Sequence, residues 1–64
     1  YILRRHGLRP AQCVMIEDSA INLVTAKRLG MRTVWLTREH GLPPYVDWRI
    51  ARLGELTRIV GQLR

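Results

Sequence analysis

The stretch CVMIEDSAINLVTAKRLGMRTVWL, residues 13–36, decides the fold, because its apolar beginning ends abruptly in two adjacent carboxylates, Glu17 and Asp18. Residues 14–16 are apolar without interruption, which is typical of a parallel strand buried on both faces between layers of helix. Desolvating an unpaired carboxylate is costly, so both acidic side chains must lie where the strand emerges. Ligands bind at the carboxyl ends of strands in open α/β sheets. The pattern therefore predicts a ligand-binding site at Glu17 and Asp18.

The residues after the carboxylates predict a helix and a second strand. Asp18 and Ser19 can offer side-chain oxygens to the free amides of a helix over residues 20–29. Gly30 stands where a left-handed residue commonly ends a helix. Residues 33–36 favour a strand. The whole stretch is therefore predicted to be a strand-helix-strand unit, whose crossover is right-handed in nearly all parallel sheets.

The flanking segments are predicted to be a helix end, a loop and a third strand. Residues 1–6 are interpreted as the end of a helix, with Gly7 just past it. Residues 37–45 contain one glycine and two prolines and are predicted to be loop. Residues 46–50 are predicted to form a third, shorter strand.

The C-terminal segment, from Arg52 onward, carries the clearest helical pattern in the chain. Its apolar residues recur at steps of three and four: Leu53, Leu56, Ile59, Val60 and Leu63. With no linker or repeat, residues 1–64 are predicted to be one domain. The predicted fold class is α/β, a fragment of a Rossmann-like parallel sheet with flanking helices.

Length and cysteine content limit how this chain is stabilised. A domain of 64 residues buries only about 60% of its unfolded surface, and the single Cys13 excludes an internal disulfide. Because the first residue is Tyr1 rather than Met, we expect the C-terminal part of a longer protein. A lone cysteine in an apolar context fits a reduced compartment, and no stretch reaches the about 20 apolar residues of a membrane span. We expect a cytoplasmic protein.

The charge balance raises a nucleic-acid interpretation. The formal net charge is +6 and ten of the eleven basic residues are arginine, the residue type that contacts phosphates. The basic residues are scattered, however, with no run longer than two, and aromatic residues do not alternate with them. We therefore expect a solvated surface rather than a nucleic-acid interface.

Adjacent carboxylates at the mouth of a cleft suit Mg²⁺, which takes one or two ligands from protein and the others from water and substrate phosphate. Asp18 is the candidate for direct ligation. Glu17 can act through water or orient a ligand, and Asn22, four residues after Asp18, can support the site without adding charge. Ser19 is a further candidate for a supporting role at the site. An Asp-Ser pair before a helix is, however, more often only a cap. The residues alone leave both interpretations open.

The run VMIEDSAINLVTAKRLGMRTVWL, residues 14–36, resembles the fourth motif of the haloacid dehalogenase (HAD) superfamily, the aspartate-nucleophile phosphatases with a Rossmann-like core. In that family an apolar strand ends in an acidic pair or Gly-Asp. A helix rich in small residues follows and closes with Gly-Met before the next strand. The match covers about a third of the chain. Within it, the sequence around residues 22–35 is similar to that of the pyrimidine 5'-nucleotidase-like branch.

The resemblance implies a role for each residue of this motif. Asp18 matches the acidic ligand of the catalytic Mg²⁺ and Glu17 its acidic neighbour, whereas Asn22 stands where many members have a further Asp. It also implies a parent enzyme in which an aspartate attacks the phosphorus of a phosphomonoester and water hydrolyses the aspartyl-phosphate.

Three further motifs of the family do not match this chain. The DxDxT motif, which carries the nucleophile and the acid/base, is absent from the 64 residues. The Ser/Thr of the second motif is not identifiable, and the Lys of the third would lie just before Tyr1. Lys27 follows the acidic pair and is no substitute. We therefore expect these residues alone to be inactive, and the substrate-selecting cap to lie outside them.

Three hypotheses follow from the sequence. The first is a C-terminal fragment of a magnesium-dependent phosphatase acting on a small phosphate ester such as a nucleotide. The second is a non-catalytic α/β binding or regulatory module that keeps the acidic residues for structure. The third, a nucleic-acid-binding piece, predicts binding that weakens steeply with salt.

Overall fold

A four-stranded sheet forms the centre of the computed structural model, which describes residues 2–4 and 9–63. The strands and α-helices, in chain order, are β1 (Ile2–Arg4), β2 (Cys13–Glu17), α1 (Ala20–Arg28), β3 (Arg32–Leu36), β4 (Trp48–Ile50) and α2 (Leu56–Ile59). Short 3-10 turns cover Pro10–Gln12, Leu53–Glu55 and Val60–Leu63.

The order of the strands in the sheet is β1-β2-β3-β4. Strands β2, β3 and β4 are parallel, with Ile16 opposite Val34 and Val34 opposite Trp48. Helix α1 connects β2 to β3, as the strand-helix-strand prediction requires. This parallel unit confirms the α/β fold class. The third predicted strand exists but is shorter than predicted, because residues 46 and 47 precede β4.

The predicted helix end at residues 1–6 is wrong for the part of it that the structure describes. Ile2–Arg4 forms a strand antiparallel to β2, with Ile2 opposite Met15 and Arg4 opposite Cys13. Pairing gives the backbone groups of β2 partners on their second side, and this non-local gain outweighs the local helix signal. The sheet is therefore mixed rather than wholly parallel. Gly7 lies outside the described residues.

Both faces of the parallel strands are covered, as the apolar run predicted. On one face α1 packs over two clusters of buried residues: Cys13, Ala26 and Met31, and Leu23, Trp35 and Val46. On the other face Leu56 and Ile59 of α2 pack against a third cluster of buried residues: Val14, Ile16, Val34 and Ile50. Alternation of side chains along each strand assigns the residues to these two faces.

Helix α1 has almost the predicted bounds, but its beginning differs from the prediction. Ser19 is the residue before the helix, and no side-chain hydrogen bond caps the first turn. The backbone carbonyl of Ser19 instead accepts a hydrogen bond from the amide of Leu23 at 3.2 Å. At the other end Gly30 has φ of 89°, the left-handed conformation that glycine adopts without strain.

The C-terminal segment is not the continuous α-helix that was predicted from Arg52 onward. Only Leu56–Ile59 is α-helical, between two 3-10 turns that contain Gly54 and Gly61. Glycine weakens a helix interior by about 1 kcal/mol, and packing holds only part of the apolar face, since Leu53 and Val60 are exposed. Among the described residues, no helix has the length and apolar character needed to cross a membrane.

Candidate functional site

The candidate site, which we call the acidic corner, consists of Glu17, Asp18, Ser19 and Asn22. Glu17 ends β2, and Asn22 lies in the first turn of α1. The carboxyl ends of β2, β3 and β4 form one edge of the sheet, the carboxyl edge, and the acidic corner lies on it. Both carboxylates precede the amino end of α1, where the helix dipole is positive.

Glu17 is held by neighbouring hydrogen-bond donors. Its Oε1 accepts from Nδ2 of Asn22 at 2.9 Å, and its Oε2 accepts from the amide of Asp18 at 3.1 Å. The Asn22 bond lowers the pKa of Glu17 below its ordinary value, helped by the amides of Asp18 and Ser19 and opposed by partial burial. Glu17 is therefore charged at neutral pH and its orientation is defined.

The predicted supporting role of Asn22 takes a different form from the one expected. Its spacing of four placed it beside Asp18, but its side-chain amide binds Glu17, five residues before it. Asp18 itself is exposed to solvent. The structure thus presents one anchored carboxylate, Glu17, and one exposed carboxylate, Asp18, at the same strand end.

Trp35 holds the backbone of the acidic corner through a hydrogen bond to Asp18. Its indole Nε1 donates to the carbonyl oxygen of Asp18 at 3.1 Å, while its ring is buried beside Leu23 and Val46. A buried indole N–H requires an acceptor, so the core of the sheet is tied directly to the turn that carries Asp18. No local pattern in the sequence indicates this bond.

The donor set of the acidic corner suits a hard cation that keeps part of its water. Glu17 and Asp18 offer carboxylate oxygens, and Asn22 holds the first of them in place. The described residues contain no group of three or more His, Cys, Asp or Glu side chains placed to hold a metal ion. Two carboxylates are enough for Mg²⁺, which commonly takes its remaining ligands from water and substrate.

A second polar cluster, the Thr33 network, lies at the opposite edge of the sheet. It consists of Thr33, Asp47, Lys27 and the carbonyl of Tyr45. Oγ1 of the fully buried Thr33 donates to the Tyr45 carbonyl at 2.6 Å and accepts from the amide of Asp47 at 3.1 Å. Oδ2 of Asp47 accepts from the amide of Thr33 at 2.9 Å and pairs with Nζ of Lys27. The network joins α1, β3 and the loop before β4.

The Thr33 network gives Lys27 and Asp47 a structural role. Lys27 ends near the amino end of β3 with Asp47 as its partner, whereas the acidic corner lies at the carboxyl edge. Sequence reasoning missed this network because Asp47 and Thr33 are 14 residues apart. The chain between them completes β3 and then carries turn signals, so no local pattern indicates the contact.

The stability of the fold should fall in acid through Asp47. Burial raises the pKa of Asp47, but the bonds from Lys27 and Thr33 outweigh it, so the pKa lies below its ordinary value of 3.8. A depressed pKa stabilises the fold above 3.8 and loses that contribution as the pH falls further. We expect Asp47→Asn to be less stable than wild type at pH 7 and to show a smaller stability loss below pH 4, in urea denaturation. An unchanged pH profile would contradict this.

The acidic corner and the Thr33 network are defined by the contacts of this chain. Comparison of the chain with family models, with curated proteins and with solved structures finds no match.

Proposed function

We propose that the acidic corner supplies Mg²⁺ ligands to a phosphatase of the haloacid dehalogenase type. Asp18 is the direct ligand and Glu17 acts through water or as a neighbouring charge. The observation that carries the proposal is the pair of carboxylates at the end of a covered parallel strand, one anchored by Asn22 and the other exposed. The substrate class is a small phosphomonoester such as a nucleotide.

The residues of the acidic corner have different roles in the proposed cation site. The hydrogen bond from Asn22 orients Glu17 and lowers its pKa, while the Trp35 bond fixes the backbone under Asp18. Asp18 is exposed, so its carboxylate is accessible from solvent. Asp18 would hold a bound Mg²⁺ directly and Glu17 through water, and the ion would neutralise charge on the substrate phosphate.

The resemblance of residues 14–36 to the family's fourth motif assigns the remaining chemistry to the rest of a longer protein. There an aspartate of a DxDxT motif attacks phosphorus, the ester P–O bond breaks, and the alcohol leaves with a proton from the second aspartate. Water then hydrolyses the aspartyl-phosphate. The coding sequence upstream of Tyr1 should encode that motif. A reading frame without it favours the non-catalytic module instead.

Magnesium titration followed by amide NMR tests the role of Asp18. In the 64-residue chain we expect Mg²⁺ to shift the amide signals of residues 17–19, and Asp18→Asn to abolish the shifts because the direct ligand is lost. Glu39→Gln is the matched control. It removes one exposed carboxylate beyond the acidic corner, and the response should remain.

Two results would overturn this proposal. One is an equal loss of the Mg²⁺ response in Asp18→Asn and Glu39→Gln, since that indicates general charge attraction. The other is hydrolysis of p-nitrophenyl phosphate by the 64-residue chain that disappears in Asp18→Asn. Such activity would place the nucleophile within these residues, contrary to the proposed division of the catalytic groups.

A further inference from the structure

We propose that Arg38 and Arg52, here called the arginine pair, bind the phosphate group of the substrate at the carboxyl edge. This inference rests on the proposed function, because it places the phosphate beside a cation held by the acidic corner. It adds the residues that take the substrate's negative charge, which the acidic corner leaves unassigned. Strand register, hydrogen-bonded turns and unpaired arginine side chains support it.

The sheet register brings the two arginines to neighbouring strand ends. Leu36 of β3 lies opposite Ile50 of β4, and the amide of Thr37 donates to the carbonyl of Ile50 at 2.8 Å. Each arginine follows its own strand's paired end residue by two positions. Neighbouring strands lie about 4.8 Å apart, so the two arginines follow adjacent strand ends on the carboxyl edge.

The turn that carries Arg38 is held on both sides. The amide of Glu39 donates to Oγ1 of Thr37 at 3.1 Å, and the carbonyl of Glu39 accepts from Nη1 of Arg49 at 2.7 Å. Arg38 therefore lies between two anchored residues. A backbone fixed in this way lowers the entropy lost when its side chain binds a ligand.

The turn that carries Arg52 is braced in the same manner. The amide of Ala51 donates to Oε2 of Glu55 at 3.2 Å, and the amide of Glu55 donates to the carbonyl of Arg52 at 3.0 Å. The first of these bonds uses the carboxylate of Glu55 within the turn. Both members of the arginine pair are thus attached to structured backbone.

Arg38 and Arg52 are both exposed, and neither side chain makes a hydrogen bond or ion pair within the part of the chain that the structure describes. Over residues 9–62 the ion pair found is Lys27 with Asp47. Arginine offers a planar fork of donors that matches phosphate oxygens, and these charge-assisted bonds are strong. Because Glu17 lies opposite Trp35 on the adjacent strand, the edge carries carboxylates and then arginines. A metal-bound phosphate requires both charges.

Phosphate titration of the 64-residue chain by amide NMR tests the arginine pair. Inorganic phosphate should shift residues 37–39 and 51–52. In Arg38→Gln/Arg52→Gln its dissociation constant should rise about ten-fold, since hydrogen bonds to charged groups are lost. Arg9→Gln/Arg28→Gln is the charge-matched control. It removes two exposed arginines near the opposite edge of the sheet, and it should leave the dissociation constant unchanged.

A third variant separates fork geometry from charge. Arg38→Lys/Arg52→Lys keeps both charges but replaces each fork with a point charge, so its affinity should fall between wild type and the glutamine variant. Equal weakening in the glutamine variant and in the control would overturn the arginine pair. The proposed function would still be supported if Mg²⁺ bound at Asp18.

Magnesium links the arginine pair to the acidic corner. Phosphate should bind more tightly with Mg²⁺ present in wild type, and Asp18→Asn should remove that increase while keeping metal-free phosphate binding. Phosphate binding at the pair without any effect of Mg²⁺ would overturn the joint site. A Mg²⁺ response unaffected by Asp18→Asn would instead refute the proposed function.

Discussion

Leu23→Ala is expected to lower the free energy of unfolding by about 2–5 kcal/mol, the largest effect of any change considered for this protein. Leu23 is 0% exposed. Its side chain points from α1 to the sheet and forms a buried cluster with Trp35 and Val46. Native stability is about 0.05–0.15 kcal/mol per residue, so a chain of 64 residues has about 3–10 kcal/mol in total. The cavity therefore removes much of the stability.

Leu29→Ala provides the matched control, because the same atoms are removed at the end of the same helix. Leu29 is 61% exposed, so its loss should change the free energy of unfolding by about 0.5 kcal/mol or less. Urea denaturation followed by far-ultraviolet circular dichroism measures both. Equal losses in the two variants would show that α1 does not pack on the sheet as described.

The central strand-helix-strand unit could be predicted because its signals are local. The apolar run before Glu17 requires burial on both faces, and Gly30 ends the helix with a conformation that few other residues adopt. Each feature acts within a few residues of its own position. Long-range contacts agree with these local signals, and β2, α1 and β3 therefore have nearly the predicted bounds.

The acidic corner was predictable in its position but not in its hydrogen bonds. A strand emerging from a covered sheet must place its charged end at the edge, and this rule located Glu17 and Asp18. The partner of Glu17 depends on how the chain turns between strand and helix, so helical spacing alone did not indicate the bond from Asn22 to Glu17. The cap predicted for Ser19 failed because its side chain makes no bond to the first turn.

The C-terminal segment shows the opposite error, in which a strong local pattern produced too regular a helix. Leu56 and Ile59 pack against the sheet as the pattern required. Beyond them, Oε1 of Gln62 accepts from Nε1 of Trp48 at 2.9 Å, and its carbonyl accepts from Nη1 of Arg32 at 3.1 Å. These contacts, 14 and 30 residues away, accompany a tight 3-10 ending that periodicity does not report.

Thr33→Val is expected to cost about 1–3 kcal/mol, although the two side chains have nearly the same shape. Thr33 is 0% exposed, and its hydroxyl serves the carbonyl of Tyr45 and the amide of Asp47 at once. A methyl group can satisfy neither. The loss should appear as a lower denaturation midpoint, together with weaker protection of the Asp47 amide in hydrogen exchange.

Thr25→Val is the control for Thr33→Val, because Oγ1 of Thr25 bonds only the carbonyl of Ile21 on the exposed side of α1. Its replacement should cost a few tenths of a kcal/mol at most. In the double variant Thr33→Val/Asp47→Asn the losses should not add, since both changes release the same loop from β3. Simple additivity would mean that Thr33 and Asp47 act independently, and that the loop before β4 is held by its turn residues rather than by this network.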